Sequence, residues 1–324
     1  MCLVSVVIPA YNVEAYIKRT VNSVLNQTLS DLEVIVVNDG SQDSTLDVLS
    51  LMTNPKLKVV NQTNSGVSVA RNTGLAAATG KYVFFLDGDD WLEAEALADM
   101  CRISERNGLD MLLSDFYLDN DGGIVKYVKR NEMKTADYLQ ETLLGHVAPS
   151  VCGKLYLRTL FTQNDILFPA GLSIGEDLYV SVKLAYFSKK VEKIEQAYVH
   201  YIQRKESLTT SYTEKMYDIF KAMALIQQFL KQHDQYEEYA EKFVFTTFLH
   251  TYFFRINKHP RRGKEIHHAI YLMGKGKYKE YDQNHYVRHY LSQLNLISRM
   301  TERLYRMNYH LGFAFKGIIH VLRR

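Results

Sequence analysis

Cysteine is scarce in this sequence of 324 residues, which holds three, at positions 2, 101 and 152. An odd number of widely spaced cysteines fits neither a disulfide framework nor a zinc knuckle. The scarcity therefore excludes a disulfide-stapled secreted domain, and we expect a protein of the reducing cytoplasm.

Long apolar runs are also missing. No stretch approaches the roughly 20 uninterrupted apolar residues that a membrane-spanning helix needs. The apolar run at 3–8 is too short for a signal peptide, and no basic segment precedes it. We therefore expect a chain that is not integral to a membrane.

What the sequence does contain is typical of a folded globular protein, with 47% apolar and 23% charged residues. Tyrosine is abundant, at 23 residues. An apolar ring with a polar tip suits a binding cleft or a membrane interface, and it serves equally in ordinary packing. The abundance leaves these alternatives open.

Charge is unevenly distributed along the chain. Residues 1–209 carry 20 basic and 26 acidic side chains, whereas residues 210–324 carry 19 and 10. An acidic first part joined to a basic second part suggests two separate tasks.

Apolar runs and helical patterns alternate in the first part. We predict strands at 3–8, 32–37, 58–61, 82–86, 111–116 and 198–203. Helices between the earlier strands imply βαβ units and a mostly parallel central sheet in an α/β fold, with ligands bound beyond the carboxyl ends of the strands. One helix, at 66–78, is expected to be closed by Gly80. From about residue 212 the pattern is helical, so we predict two domains, 1–210 and 211–324.

An acidic turn, Asp87, Gly88, Asp89 and Asp90, follows the fourth predicted strand. Carboxylates so close together repel one another, and a cation would relieve that repulsion. Their hard oxygen ligands favour Mg²⁺ or Mn²⁺, which would neutralise a departing diphosphate, and Gly88 leaves space for a ribose or phosphate. The alternative is a solvated turn in which Asp90 caps the next helix.

Several motifs occur in an order and spacing that resemble family 2 glycosyltransferases. They are the segments 6–12, 36–41, 64–66, 70–72 and 85–90. Further segments resemble the bacterial surface-polysaccharide branch of that family, namely 154–169, 175–177 and the positions Tyr201, Arg204 and Ser207. The matches span residues 3–209, and their number makes the resemblance specific. It implies a GT-A type nucleotide-binding domain and inversion at the anomeric carbon.

The resemblance also implies roles on the donor side. Pro9, Tyr11 and Asn12 would border the nucleotide base, and Asp39 would accept the imide N–H of uracil. Arg71 would lie beside the base or the diphosphate. Without the resemblance, Asp39 would be interpreted as part of a turn, and Arg71 would be interpreted as a solvent-exposed residue on a helix face.

For the acidic turn, the resemblance assigns Asp87 to ribose or metal and Asp89 to metal. Asp90 falls on the acceptor side or in a supporting position. Arg204 would clamp the diphosphate and Ser207 would add a hydrogen-bond donor. His200 is a weaker candidate for a third metal ligand, since a lone histidine on a strand is more often structural.

Glu176 and Asp177 match the acidic motif in which the aspartate acts as base. An alcohol is a poor nucleophile near neutral pH, so a placed carboxylate must take its proton as the new bond forms. We assign Asp177 this role and place Glu176 near the acceptor. The same residues are also typical of the first turn of a helix, and a helix start is compatible with the catalytic role.

The basic second domain mixes aromatic residues with cations and ends in an amphipathic pattern at 299–324. Such a segment can lie on an anionic membrane, near a lipid-linked acceptor. It can equally pack in a helical bundle or on a second subunit of a homo-oligomer. No nucleic-acid motif accompanies the cations, so we expect no nucleic-acid partner.

We conclude that the sequence predicts a metal-dependent, inverting transfer of a sugar from a nucleotide sugar, with UDP favoured, to a hydroxyl on a cell-envelope, capsular or exopolysaccharide glycan. The expected location is cytoplasmic, with the inner membrane face as an alternative. A nucleotidyltransferase that makes nucleotide sugars also needs paired aspartates, but it would want a glycine- and lysine-rich loop at 9–12. A non-catalytic carbohydrate-binding scaffold is a second alternative, although Asp87, Asp89 and Asp177 are all present.

Overall fold

The computed structural model describes residues 3–120, 123–129, 133, 135–203, 213–257 and 263–322. The chain divides into two compact units, Met1–Lys205 and Glu206–Arg324. The domain boundary predicted near residue 210 falls at 204–212, outside the described residues, and it stays a prediction.

The described part of the first unit contains a mixed sheet of nine strands. In chain order the strands are β1 (Val4–Ala10), β2 (Leu32–Asp39), β3 (Leu57–Gln62), β4 (Tyr82–Phe85), β5 (Trp91–Leu92), β6 (Met111–Asn120), β7 (Ile124–Val128), β8 (Lys154–Leu157) and β9 (Val191–Ile202). Their order in the sheet is β3-β2-β1-β4-β8-β6-β9-β5, with β7 paired to β6.

The predicted α/β fold is confirmed. Strands β1 to β4 are parallel to one another, as the alternation of strands and helices predicts. The other half of the sheet is mixed, because β8 pairs antiparallel with both β4 and β6, and β5 pairs antiparallel with β9. Strands β6 and β7 also pair antiparallel.

Seven helices accompany the sheet within the described residues of this unit. They are α1 (Ile17–Leu25), α2 (Thr45–Ser50), α3 (Val67–Ala77), α4 (Ala96–Asn107), α5 (Tyr138–Leu143), α6 (Thr159–Gln163) and α7 (Glu176–Phe187). Strands β1, β2 and β4 are almost wholly apolar and buried, as strands covered on both faces must be.

Helix α3 lies very close to the sheet. A Cβ atom on its Gly74 would stand 2.3 Å from Cγ1 of Val7 in β1, so only glycine allows this approach. The predicted role of Gly80 is wrong, because α3 ends at Ala77 and the next residue, Ala78, is already extended. Gly80 is instead needed for space, since a Cβ there would lie 2.6 Å from the backbone nitrogen of Ser5.

The second unit is helical, as the sequence predicts. Its helices are α8 (Asp218–Gln232), α9 (Tyr236–Thr247), α10 (Phe254–Ile256), α11 (Lys264–Lys275), α12 (Tyr278–Gln283), α13 (His285–Gln293), α14 (Leu296–Met307) and α15 (Tyr309–Leu322). A 3₁₀ turn, Glu214–Tyr217, precedes α8, and a π-helical stretch, Phe248–Phe253, joins α9 to α10.

Many tyrosines of the second unit serve in packing. Tyr252, Tyr281 and Tyr305 have no exposed surface. Glycines make room for two of these rings, since a Cβ on Gly274 or Gly312 would stand 2.1 Å and 2.4 Å from Tyr252 and Tyr305 respectively. Among the described residues, no helix is both long and apolar enough to span a membrane.

Candidate active site

A buried arginine, Arg71 of α3, brings together three carboxylates. Its Nη1 donates to Oδ1 of Asp177 at 2.7 Å and to Oε1 of Glu176 at 3.4 Å, and its Nη2 donates to Oδ1 of Asp87 at 3.0 Å. The residue is only 3% exposed, and its guanidinium lies over the ring of Phe168. From the helical pattern alone, this arginine would be interpreted as solvent-exposed; in the structure it is the centre of a buried cluster.

The fold explains why these groups meet. Asp87 follows the carboxyl end of β4, and α3 packs against β1, the strand beside β4, and against β2. Glu176 and Asp177 form the first turn of α7, after Gly175 in a left-handed conformation at φ 92°. A helix N-terminus stabilises carboxylates in its first turn, so the helix start and the acidic motif occupy the same place.

The carboxylate of Asp177 is fixed from two sides. Its Oδ1 accepts from Arg71, and its Oδ2 accepts from the backbone N–H of Val151 at 3.3 Å. The segment that carries Val151 is held in turn, because the Nζ of Lys154 donates to the carbonyl of Ala148 at 2.7 Å. Lys154 is 2% exposed, and the sequence alone gave no sign that this lysine would be buried beside the site.

The electrostatic balance of the cluster is one cation against three carboxylates. Burial opposes the charge on Arg71, but Asp177 and Asp87 outweigh it and raise the pKa of Arg71, which therefore stays protonated. Burial raises the pKa of Asp177, while Arg71 opposes that shift. Burial and the charge of Asp177 together raise the pKa of Glu176 to about 7. Glu176 is thus a carboxyl group that can exchange a proton near neutral pH, and it lies beside the buried Asp177.

The acidic turn divides into two partly exposed and two buried positions. Asp87 and Asp89 are partly exposed, whereas Gly88 and Asp90 are buried. A Cβ on Gly88 would lie 2.9 Å from the carbonyl oxygen of Pro9, so glycine lets the turn pack on the end of β1. Oδ1 of Asp90 accepts from the N–H of Ile202 at 2.9 Å, which ties the turn to β9. Asp90 thus anchors the turn, and its role toward the acceptor stays a prediction.

Asp39 lies at the end of β2 and is 3% exposed. Its Oδ1 accepts from Nε2 of Gln62 at 2.7 Å and from the N–H of Ser65 at 2.9 Å, and its Oδ2 accepts from the N–H of Gly66 at 2.8 Å. A carboxylate offers about four acceptor positions, so three are engaged and one remains. Asp39 therefore orders the loop before α3, and its predicted contact with uracil stays a prediction.

The residues predicted to border the base lie at the same edge of the sheet. Tyr11 is 44% exposed. Asn12 adopts a positive φ of 51°, its N–H donates to Oγ of Ser41 at 3.1 Å, and its Oδ1 accepts from the N–H of Gln42 at 2.8 Å. These bonds join the loop after β1 to the loop after β2.

His200 of β9 is held among other groups. Its Nε2 lies 2.8 Å from Oε1 of Glu93, its Nδ1 lies 3.6 Å from Oδ2 of Asp119, and its ring stacks on Trp91. To bind a metal through Nε2, His200 would have to give up its contact with Glu93. Arg204 and Ser207 lie outside the described residues, so their roles stay predictions.

No group of three or more His, Cys, Asp or Glu side chains within the described residues is arranged to hold a metal ion. A Mg²⁺ ion at a nucleotide site commonly takes only one or two carboxylates and completes its ligands with phosphate oxygens and water. Asp87 and Asp89, both partly exposed and two positions apart, fit that kind of site.

Comparison with known proteins agrees with this geometry. The profile described as "Glycosyl transferase family 2" matches residues 5–163. Residues 5–163 therefore form a family 2 glycosyltransferase domain. An uncharacterized glycosyltransferase of Bacillus subtilis, EpsJ, is 32% identical over 217 residues, which are 64% of this chain and 63% of EpsJ.

A second relative is the Staphylococcus aureus poly(ribitol-phosphate) beta-N-acetylglucosaminyltransferase TarS. It is 28% identical over 77% of this chain and 44% of its own length. The chain therefore spans less than two thirds of either relative. A crystal structure of S. aureus TarS in complex with UDP-GlcNAc matches 98% of this chain and 91% of that one, with a TM-score of 0.70 and 23% identity. This likeness shows a shared fold, and the predicted GT-A type architecture is confirmed.

Proposed function

We propose that this chain transfers a sugar from a UDP-sugar to a hydroxyl group of a cell-envelope glycan, with inversion at the anomeric carbon. The observation that carries the proposal is the position of Arg71, whose guanidinium contacts both Asp87 and Asp177. Asp87 belongs to the turn assigned to the donor, and Asp177 is the assigned base. One side chain thus joins the two halves of the proposed reaction in one site.

In the proposed step, an acceptor hydroxyl attacks the anomeric carbon. The new bond joins the acceptor oxygen to that carbon, and the bond from that carbon to the diphosphate oxygen breaks. The hydroxyl proton passes to the carboxylate of Asp177, and the electron pair leaves with UDP. Attack from the face opposite the nucleotide gives inversion without a covalent intermediate.

Arg71 supports this step by keeping Asp177 ionised. Burial strengthens Asp177 as a base but also favours its neutral form, which cannot accept a proton. The contact with Arg71, at 2.7 Å, opposes that neutralisation. The N–H of Val151 fixes the second oxygen, so the carboxylate has a defined orientation.

Asp87 and Asp89 would hold Mn²⁺ or Mg²⁺, and such an ion neutralises negative charge on the diphosphate. Asp39, Tyr11, Asn12 and Pro9 would contact the nucleoside. The names of relatives supply the first substrates to test. TarS is an N-acetylglucosaminyltransferase of poly(ribitol-phosphate), and a Bacillus spizizenii relative is a poly(ribitol-phosphate) glucosyltransferase.

The location is part of the proposal. A lipid-linked acceptor would present its hydroxyl close to the inner face of the cell membrane, so we place the chain there as a peripheral protein. Association into a homo-oligomer stays a prediction that no described contact bears on.

The test uses the full chain with UDP-GlcNAc and UDP-glucose, with poly(ribitol phosphate) as acceptor, and measures release of UDP. Asp177→Asn should lower the rate by about a hundredfold or more while leaving UDP affinity within about twofold, since a general base contributes 10²–10⁴. Asp89→Asn should weaken metal-dependent UDP binding. Asp31→Asn, an exposed carboxylate remote from the cluster, is the matched control. Full turnover by Asp177→Asn would overturn the assignment of the base.

A further inference from the structure

The end of the second unit exposes an unusual amount of apolar surface. Of the 17 large apolar side chains that are exposed in the described part of the chain, seven lie within residues 296–322. They are Leu296, Met300, Met307, Leu311, Ile318, Val321 and Leu322. Single exposed apolar residues are ordinary, but such a concentration marks a surface that contacts something other than water.

The exposed residues follow the helical repeat on both helices. On α14, Leu296, Met300 and Met307 occur at i, i+4 and i+11, with the exposed Arg303 at i+7. On α15, Leu311, Ile318 and Leu322 occur at i, i+7 and i+11. Residues with this spacing lie on one face of a helix, so each helix presents an apolar stripe to the outside.

The opposite faces of the two helices are already used for packing. Thr301 and Tyr305 of α14 have no exposed surface, and Gly312 of α15 lies directly against the ring of Tyr305. The exposed stripes are thus not the seam between the two helices.

Cations dominate the same segment. Residues 296–322 contain four basic side chains, Arg299, Arg303, Arg306 and Lys316, against a single carboxylate, Glu302. Glu302 and Arg306 pair at 3.0 Å. Arg303 makes no ion pair within the described residues. A second copy of this surface would bring like charges together, whereas an anionic partner would neutralise them.

A groove of about 350 Å³ adjoins the stripe of α14. Leu291, Leu294, Arg299 and Arg303 contribute to its walls, together with the ion-paired Glu302 and Arg306. Arg299 is anchored there, because its Nη2 donates to the carbonyls of Ser292 at 2.7 Å and Leu294 at 3.1 Å. The groove thus offers guanidinium groups beside apolar walls, which suits a phosphate that is attached to acyl chains.

We propose that helices α14 and α15 form a surface that docks on an anionic phospholipid membrane, with their apolar stripes in the interface and lipid phosphates at Arg299 and Arg303. The biological purpose of this docking rests on the proposed function, since a docked chain would have its active site near a lipid-linked acceptor. Its physical basis is separate. Interfacial helices lie in the membrane plane, bound by apolar burial and by attraction of cations to anionic lipid.

The experiment measures co-sedimentation of the full chain with vesicles of phosphatidylcholine alone or mixed with phosphatidylglycerol. The chain should bind the mixed vesicles, bind neutral ones far more weakly, and be released by salt. Ile318→Asp combined with Leu322→Asp should lower the partition coefficient by about tenfold or more. Arg303→Glu should lower it by about fivefold or more.

Two matched controls lie in the first unit. Leu46→Asp combined with Leu51→Asp places the same two charges at exposed leucines, and Lys18→Glu makes the same reversal as Arg303→Glu at an exposed position. Neither should change vesicle binding. Equal loss in variants and controls, or no binding by the unaltered chain, would overturn the proposal. Light scattering that shows the unaltered chain as a dimer and the α15 variant as a monomer would also overturn the proposal.

Hydrolysis of UDP-GlcNAc without lipid is recorded for every variant, with a thermal melt to verify folding. The α14 and α15 variants should keep this activity. If vesicle binding fails while UDP release persists, only the membrane surface is refuted. If UDP release is absent and vesicle binding persists, the catalytic proposal fails alone.

Discussion

Replacement of Arg71 tests whether it serves the carboxylates or the donor. The resemblance places this arginine beside the base or diphosphate, whereas the structure pairs it with Asp177, Asp87 and Glu176. The two roles predict different kinetics. A donor ligand would affect mainly UDP binding, and a partner of the base would affect mainly the pH at which the base works.

The expected magnitude follows from the ion pair. Two unit charges about 4 Å apart interact by about 4 kcal/mol at the effective dielectric constant of about 20 that suits protein sites. Some of that is recovered as water and neighbouring groups adjust, so we take about 3 kcal/mol. Because 1.36 kcal/mol corresponds to tenfold, Arg71→Met should shift the protonation equilibrium of Asp177 toward its neutral form by up to about a hundredfold, and the rate at pH 7 should fall by at most that factor.

The assay is the pH profile of UDP release under saturating donor. Arg71→Met should move the acidic limb of the profile to higher pH, so that much of the lost rate returns in alkaline buffer. Arg71→Lys keeps the charge but loses the planar fork, and its limb should move less. Arg102→Met, which removes an exposed arginine paired with Asp99, is the matched control and should leave the profile unchanged. An unmoved limb together with a tenfold loss of UDP affinity would refute this reasoning.

Two further predictions concern stability. The pKa of Glu176 is raised from 4.5 to about 7, so its stabilising effect is full below pH 4.5 and is lost as pH rises through 7. In urea unfolding, the free energy of unfolding of Glu176→Gln should therefore rise relative to that of the unaltered chain by up to about 3 kcal/mol between pH 5 and pH 8. Parallel curves of unfolding free energy against pH would contradict this. Gly274→Ala would place a Cβ 2.1 Å from the ring of Tyr252 and should lower stability by about 1–3 kcal/mol. Gly276→Ala, whose nearest contact is a carbonyl at 3.4 Å, should melt like the unaltered chain, and equal melting of both variants would contradict the packing argument.

The parts of the site that the sequence could predict are those encoded locally. Asp39 and Asp87 each follow an apolar run that forms a parallel strand, and parallel strands bring their carboxyl ends to one edge of the sheet. Glu176 and Asp177 come directly after a glycine and begin a helix, as their composition indicates. Each of these features depends on a few neighbouring residues.

The features that sequence reasoning missed depend on distant partners. Arg71 and Asp177 are separated by 106 positions, and no periodicity indicates which of many arginines will be buried. Likewise Lys154 belongs to β8, a four-residue strand whose pairing with β4 and β6 is long-range. Strand β5, with two residues, is too short to leave a pattern. Tertiary contacts decide these positions.

The charges of the site also bear on how a donor can enter it. Among the described residues, Arg71 is the cation that pairs with Asp87, Glu176 and Asp177, and Lys154 adds a weaker attraction at Asp177; Asp89 adds a further carboxylate nearby in sequence. A nucleotide diphosphate would bring additional negative charge into this surplus, so binding without an accompanying cation should be weak. Partial protonation of Glu176 near pH 7 removes at most one of these charges. The surplus of carboxylates is thus a physical reason, independent of family resemblance, to expect that UDP affinity rises with divalent metal and falls when a chelator removes it.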